Sequence, residues 1–434
     1  MKNVDLLVIG GGSAGMAAAT AAYDAGVKDI LIIERGDKLG GILCQCIHNG
    51  FGLHRYGREL TGSEYAKISI DEIRERDIKY ILNSFVIEIT KDRIVTVINP
   101  EEGQIKIKAR AVILAMGCRE RARGALMIPG TRPAGVITAG AAQKYLNIKG
   151  YLPGKEVVIL GSGDIGLIMA RQLTLEGISV KEIIEIMPYS SGLSRNIVQC
   201  LDDFDIPLSL SSMITRINGR KRVSSVIVSK VDENRMPIPG SEREIKCDTL
   251  MISVGLIPEN ELSRSVGVEL SQSTKGAVVN ELLQTSVPGV FACGNVLHVH
   301  DLVDNVSAEG EKAGRSAAKF LLENMKWLGV SDCIQVKEER GVGGLVPQFV
   351  TRESEDITLQ FRPKRKYINS AAVVRAEGKI IAWKNGLIFT PGEMVEMTVA
   401  RGKINGAQRL SLEIMDFADV KCELKRERNV GQNA

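Results

Sequence analysis

Two glycine-rich turns of one design punctuate this 434-residue chain, Gly10-Gly11-Gly12-Ser13-Ala14-Gly15 and Gly161-Ser162-Gly163-Asp164-Ile165-Gly166. Each follows an apolar run, leads into an alanine- or leucine-rich stretch, and is followed by a second apolar run that carries an acid. The pattern G-x-G-x-x-G in that setting predicts a strand–turn–helix–strand unit that binds a dinucleotide. The first glycine permits the tight turn, the second lets backbone approach a pyrophosphate, and the third lets helix and strand pack closely. The phosphates then meet free N–H groups at the positive end of a helix dipole. Two such units in one chain suggest that electrons pass from one dinucleotide to another.

In the first unit the spacing predicts a buried strand over 4–9, a helix over 13–25 and a strand over 29–34. Gly10, Gly12, Ser13, Ala14 and Gly15 form the candidate phosphate cradle. Glu34 stands 24 residues after Gly10, close to the spacing of an acid that accepts from ribose hydroxyls. In the second unit a strand is expected over 156–160, a helix over 164–176 capped near Gly177, and a strand over 181–187. Gly161, Gly163, Asp164, Ile165 and Gly166 are its candidate cradle. Glu185 again stands 24 residues after the first glycine. An acid there repels a 2′-phosphate and so favours NAD over NADP, a preference that Arg195 could relax by curling back. The alternatives for this second unit are an adenine nucleotide held for structural reasons alone and an empty relic site.

Length allows two or three domains, each with its own core. The net charge of +4 is small for such a length, and no basic stripe interleaves with aromatics, which makes nucleic acid a poor partner. No apolar run approaches the roughly 18 residues of a membrane span. The apolar N-terminal stretch runs into the first glycine turn and reads as a core strand rather than a signal peptide. Eight cysteines then point to reduced thiols and a cytoplasmic location.

Between the glycine units, residues 85–90, 93–98 and 104–109 alternate as a three-stranded meander, and 111–116 resumes a buried strand ending at Gly117. Beyond the second unit, 223–230 and 245–253 read as strands. Residues 254–258, including Gly255, read as a crossover back to the first domain. A strand over 289–293 ends at Gly294-Asn295, and 307–323 reads as a helix. The expected architecture is α/β: two Rossmann-like domains, the second inserted in the first, plus a C-terminal β-rich domain. The boundaries are 1–118 with 256–332 for the first domain, 119–255 for the second and 333–434 for the third. In the third, short β-runs are expected at 358–361, 379–383, 394–399 and 410–414. The basic cluster 362–366 reads as a solvated face.

The order of four segments is specific. The first turn with Glu34, the Ala115-Met116-Gly117 crossover, the second turn with Glu185, and Thr285 to Asn295 (TSVPGVFACGN) together resemble the pyridine nucleotide–disulfide oxidoreductase superfamily. The likeness covers about residues 1–330. The segment 40–52 (GGILCQCIHNGFG) and the run 154–170 are similar to a narrower group. It contains flavoprotein subunits associated with anaerobic glycerol-3-phosphate dehydrogenases and nucleotide-binding subunits of proline dehydrogenase, opine oxidase and hydrogen cyanide synthase.

The resemblance implies FAD on the first unit, with Gly41, Gly117, Gly294 and Asn295 at the flavin and the Val86 backbone at its adenine. It implies NAD(H) on the second unit, with Gly255 beside it. It also implies an electron partner on another polypeptide, a second flavoprotein subunit, or a homo-oligomer. Where the family usually ends this segment in Gly-Asp, this chain has Gly294-Asn295, and an amide there still donates and accepts hydrogen bonds. The helix that follows is expected to aim its N-terminus at the flavin and to favour its anionic reduced form.

Cys44 and Cys46 lie near where disulfide reductases of the superfamily keep a redox pair, but as C-x-C rather than C-x4-C. Placed on an extended strand they would face one side and permit only a strained disulfide. They either line the flavin pocket or act as a dithiol, with His48 able to lower a thiol pKa if it lies near. Metal binding is not expected there, because no second ligand pair stands at zinc spacing. His298-x-His300 reads the same way. The functions in view are hydride exchange between NAD(H) and flavin, a thiol-dependent NADH reductase using Cys44 and Cys46, and a nucleotide-binding subunit without turnover.

Overall fold

The computed structural model describes residues 1–323, 327, 332–352, 356–404 and 406–431. The chain forms two compact units, Met1–Cys118 with Pro258–Ala434, and Arg119–Ile257. The first unit opens with strand β1 (Lys2–Ile9), helix α1 (Ser13–Asp24) and strand β2 (Ile30–Ile33). Leu6, Leu7, Val8 and Ile32 are fully buried, which is why these runs are apolar on both faces rather than alternating. The sheet order is Lys79–Ile81, β2, β1, then a long strand β3 (Gly103–Leu114), then Ile94–Asn99 and Phe85–Ile89. The sequence pattern splits 104–109 from 111–116. The structure instead runs them as one strand, whose alternating first half closes the antiparallel meander while residues 107–114 pair in parallel with β1. No turn residue interrupts Lys106 to Val112, so nothing breaks the strand.

The second unit repeats the design with strand β4 (Glu156–Leu160), helix α2 (Asp164–Leu175) and strand β5 (Ser179–Ile184). Its parallel sheet runs Val136–Thr138, Thr249–Ile252, β4, β5, Leu208–Ser209, and a separate antiparallel meander joins Ser212–Gly219, Val223–Lys230 and Arg243–Lys246. The expected strand over 245–253 is therefore two strands in different sheets, divided at Cys247-Asp248. The Asp248 carboxylate takes the backbone N–H of Lys155 at 2.9 Å instead of continuing a ladder.

The first unit resumes with strand β6 (Val290–Ala292), parallel to β3, and helix α3 (Val303–Leu322). The helix begins four residues before the expected Ser307. It lies along α1 closely enough that a Cβ on Gly310 would stand 2.3 Å from the Ala14 carbonyl oxygen, and one on Gly314 2.1 Å from that of Ala18. The G-x-x-x-G spacing of 310–314 thus lets two backbones touch.

The C-terminal region has its own core, including Leu345, Leu359, Phe361, Val374, Leu412 and Ile414. It lies between a five-stranded sheet and a three-stranded one. Strands at Cys333–Glu338, Val342–Val346, Phe349–Thr351 and Tyr367–Ala376, and a helix over Phe417–Gly431, exceed what the sequence pattern suggests. In the basic cluster Lys364, Arg365 and Lys366 are exposed as expected, but Arg362 is half-buried. It pairs with Asp301 and donates to the carbonyls of Val299 (3.1 Å) and Gly392 (2.9 Å), because that strand faces the loop after β6. Among the described residues no helix is long and apolar enough to cross a membrane.

Candidate functional site

In the first unit the glycine turn joins β1 to α1. Gly10 has φ +107°, and a Cβ on Gly15 would stand 1.9 Å from the Gly10 carbonyl oxygen, so both positions demand glycine. At Gly12, the N-cap of α1, nothing lies within 4 Å of where a side chain would project, and no side chain caps the helix. The first turn of α1, which holds Ser13, Ala14 and Gly15, therefore keeps its N–H groups for a ligand, with room before them. Glu34 is buried and faces this turn: one oxygen accepts from Gly11 N at 2.7 Å, the other from Gly36 N at 2.7 Å. The hairpin approach of 83–84 runs alongside, with Ser84 N donating to the Glu34 carbonyl at 2.9 Å, which brings the buried Val86 strand close to that acid.

The second unit reproduces this arrangement. Glu185, also buried, accepts from Ser162 N (3.0 Å) and Ser162 Oγ (2.7 Å) on one oxygen and from Met187 N (2.9 Å) on the other. Gly161 has φ +101°, Gly166 packs against it, and Gly163 caps α2 without a side-chain bond. Asp164 and Ile165 open the helix. The Asp164 carboxylate is turned away onto Leu193 N (2.8 Å) and Asn196 Nδ2 (2.6 Å), which removes an anion from the cradle. Ile165 is exposed and Arg195 is exposed on the helix Ser194–Cys200. Gly255 has φ +96° and its carbonyl accepts from Arg121 N. Both turns thus offer helix termini without a side-chain cap and an oriented acid, with open space before Gly12 and Ser191 Oγ at 3.7 Å from a Cβ on Gly163, and each fits a dinucleotide.

Gly40 and Gly41 fold against the first turn, where a Cβ on Gly41 would stand 3.2 Å from Gly12 Cα. Gly117 has φ +74°, and its carbonyl accepts from Glu259 N. Gly294, with φ +73°, abuts Ala14, whose Cβ would be 2.7 Å from a Cβ at position 294. The candidate residues Gly10–Gly15, Glu34, Gly41 and Gly294 are therefore brought together. Asn295 is oriented by His300 N, which donates to its Oδ1 at 3.1 Å, and its Nδ2 faces Cys118 Sγ at 3.7 Å.

The cysteines are not on an extended strand. Cys44 lies within a 3-10 turn, Gly41–Gln45, and Cys46 follows it. All eight cysteines are free thiols, and Cys44 Sγ donates to the Leu39 carbonyl at 3.3 Å while Cys46 Sγ donates to that of Ile42 at 3.4 Å. Burial pushes the Cys44 thiol up, with Lys38 opposing it, and burial pushes Cys46 up to about 12. Neither is a ready thiolate, and the His48 ring packs against that of Phe51.

The sequence pattern singles out His298 and His300 but not their partner. Glu309, on the inward face of α3, accepts from His298 Nε2 at 2.8 Å, from His300 Nε2 at 3.2 Å and from Gly294 N at 2.5 Å. All three side chains are under a tenth exposed. Their ligand atoms lie within 4.8 Å of one another, so they are the one group of the described residues with metal-ligating geometry. Burial pushes the Glu309 carboxyl up, but the two histidines and their hydrogen bonds outweigh it and hold it far below the usual range. An acid between Val306 and Ala313 on the buried stripe of a helix was the available signal. Asp304, also missed, is buried in the first turn of α3. It accepts from His54 N on Oδ2, while its Oδ1 has no partner.

Residues 4–310 match the pyridine nucleotide-disulphide oxidoreductase family. The chain is 28% identical over 310 residues to the hydrogen cyanide synthase subunit HcnB of Pseudomonas protegens, covering 67% of this chain and 65% of that one. It is 25% identical over 343 residues to an opine oxidase subunit of Agrobacterium tumefaciens, covering 74% of this chain and 66% of that one. It thus spans slightly less than two thirds of the length of these relatives. The crystal structure of T. acidophilum thioredoxin reductase superposes with a TM-score of 0.61 at 26% identity, over 74% of this chain and 99% of that one.

Proposed function

The chain belongs to the pyridine nucleotide-disulphide oxidoreductase family; from that premise we propose that it is an FAD- and nicotinamide-dependent oxidoreductase, which exchanges hydride between NAD(H) and FAD and passes the electrons to a partner polypeptide. When bound, the two cofactors supply the redox chemistry themselves. The chain's residues bind and orient. The Gly10–Gly15 turn and Glu34 would hold the pyrophosphate and ribose of FAD, and Gly161–Gly166 and Glu185 those of NAD. Asn295, fixed by His300 N, would present its amide N–H to the flavin side of the first site. No side chain is needed as an acid, base or nucleophile for the exchange.

The observation that carries this reading is the repeated acid. Glu34 and Glu185 each use both oxygens to grip the backbone of their own turn and its neighbour, in the same pattern. A carboxylate at Glu185 favours NAD over NADP. Two relatives whose names mark them as subunits support a hetero-oligomer. A glycerol-3-phosphate dehydrogenase subunit with its own flavin is the partner we favour from the segment 40–52. Eight free thiols fit a cytoplasmic setting.

Anaerobic titration of the purified chain with NADH tests the proposal. Bleaching of an oxidised flavin spectrum is expected. A flavin spectrum that NADH leaves unchanged would make the second site structural or regulatory. The thiol-dependent alternative is tested by replacing Cys44 and Cys46 with serine. Turnover with a thiol or disulfide acceptor that survives this change would remove the dithiol from the mechanism, which is the result their raised pKa values lead us to expect.

A further inference from the structure

We infer that Glu309, gripped by His298 and His300, is a positioning residue that sets the Gly294–Asn295 turn for the dinucleotide at the first glycine turn. The inference rests on the proposed FAD reading of that site. Gly294 follows the strand β6, which pairs with β3, which pairs with β1. The turn and the first glycine turn therefore emerge at the same end of the sheet, with β3 between their strands, at the carboxyl ends where open α/β sheets bind their ligands. The contact of Gly294 with Ala14 places them against each other.

Residues 294–300 are tied down at three places. Glu309 takes the N–H of Gly294 and both imidazole Nε2 atoms. His300 N donates to the Asn295 side-chain oxygen. Asn260 Nδ2 donates to the Val296 carbonyl at 2.9 Å. With its oxygen held from behind, Asn295 has its Nδ2 donor turned toward Cys118 and the site. Burying a carboxylate is costly unless it is fully hydrogen-bonded, and the neighbouring positions Val306 and Ala313 show that an apolar residue would fit this helix face. The charge is kept for its grip on the turn.

The same three side chains could hold a metal, but the details favour hydrogen bonding. The Nδ1 atoms of both histidines are buried without partners. A metal-bound imidazole donates its other N–H to a second group. A neutral imidazole with its proton on Nε2 donates to Glu309 and leaves Nδ1 a bare acceptor, which accords with the contacts of both rings.

The test compares wild type, E309A, E309Q and H300Q as purified full-length chains, measuring fold by circular dichroism, FAD dissociation constant after reconstitution, flavin absorption bands and metal content. E309A is expected to raise the FAD dissociation constant on the order of tenfold or more and to shift the flavin bands. E309Q, whose amide oxygen still accepts from Gly294, is expected to recover most of the affinity. Should E309A fail to fold, E309Q and H300Q carry the comparison, with a smaller weakening and a band shift expected in H300Q. Folded variants with wild-type FAD affinity and spectrum would overturn the inference, as would E309Q no better than E309A. One equivalent of a divalent metal in wild type that E309Q loses would overturn it in favour of a metal centre. A wild type that binds no FAD at all would instead sink the reading of the site on which the inference rests.

Discussion

At the scale of single residues, buried charge decides most of the chemistry. Glu185 repels a 2′-phosphate where it now grips Ser162, so E185S should shift the ratio of kcat/KM for NADH over NADPH toward NADPH by about tenfold or more, read by steady-state flavin reduction. An unchanged ratio would assign the preference elsewhere. His298 titrates below its ordinary 6.5, because burial, with His300 and Arg362 beside it, disfavours the imidazolium more than Glu309 favours it. Between that lowered value and 6.5 the unfolded chain binds a proton that the folded chain does not, so stability rises with pH through this window and is lost as pH falls below 6.5. Glu309 adds to the same trend at lower pH, since its depressed pKa stabilises the fold above the ordinary carboxylate range. Urea unfolding of H298Q should show a shallower loss of stability than wild type as pH falls below the ordinary histidine value of 6.5. The glycines and acids of the two turns were legible because their spacing encodes a backbone shape. Glu309 was not, because its partners lie in a loop whose path only the fold determines. Cys44 and Cys46 were misplaced for a related reason: C-x-C has the same spacing on a strand and in a 3-10 turn, and the Gly40-Gly41 pair, both with positive φ, selects the turn.

At the scale of elements, apolar runs announced the buried parallel strands, and alternation announced the meander. Their boundaries were less legible where hydrogen bonds to side chains intervene, as at Asp248. The helix α3 began early because Asp304 sits in its first turn and ties down the His54 backbone, a contact across the chain that no local pattern carries. Its packing on α1 depends on two absent side chains. G314V would put a Cβ 2.1 Å from the Ala18 carbonyl oxygen, and should lower stability by about 1–3 kcal/mol, seen as a drop of several degrees in Tm together with weakened FAD retention. A variant as stable as wild type would mean that the helices separate without cost.

At the scale of the whole molecule, the inserted arrangement of two dinucleotide-binding folds was readable from motif order alone. The C-terminal region was only partly so, since its strands are short and its helix, Phe417–Gly431, is rich in charge with few apolar positions. Its ties to the rest of the first unit were invisible in sequence. Thr351 donates to Glu281, Val279 N donates to Gln348, Arg362 meets Asp301, and Val346 joins the larger core. Truncation after residue 332 should therefore lower solubility and Tm of the remainder, measured by sedimentation and thermal melting, rather than release an independent tail. A soluble, equally stable remainder would show that the region is merely appended.

The pairing of β3 with β6 also sets an order of events at the ribosome. Chains fold from the N-terminus as they emerge. Every strand of the inserted unit has left the exit tunnel before Val290 to Ala292 can reach Val112 to Leu114. The sheet around the first glycine turn must wait, with one side of β3 open, while the whole inserted unit is synthesised; of the two glycine turns, the one made first belongs to the sheet that closes later.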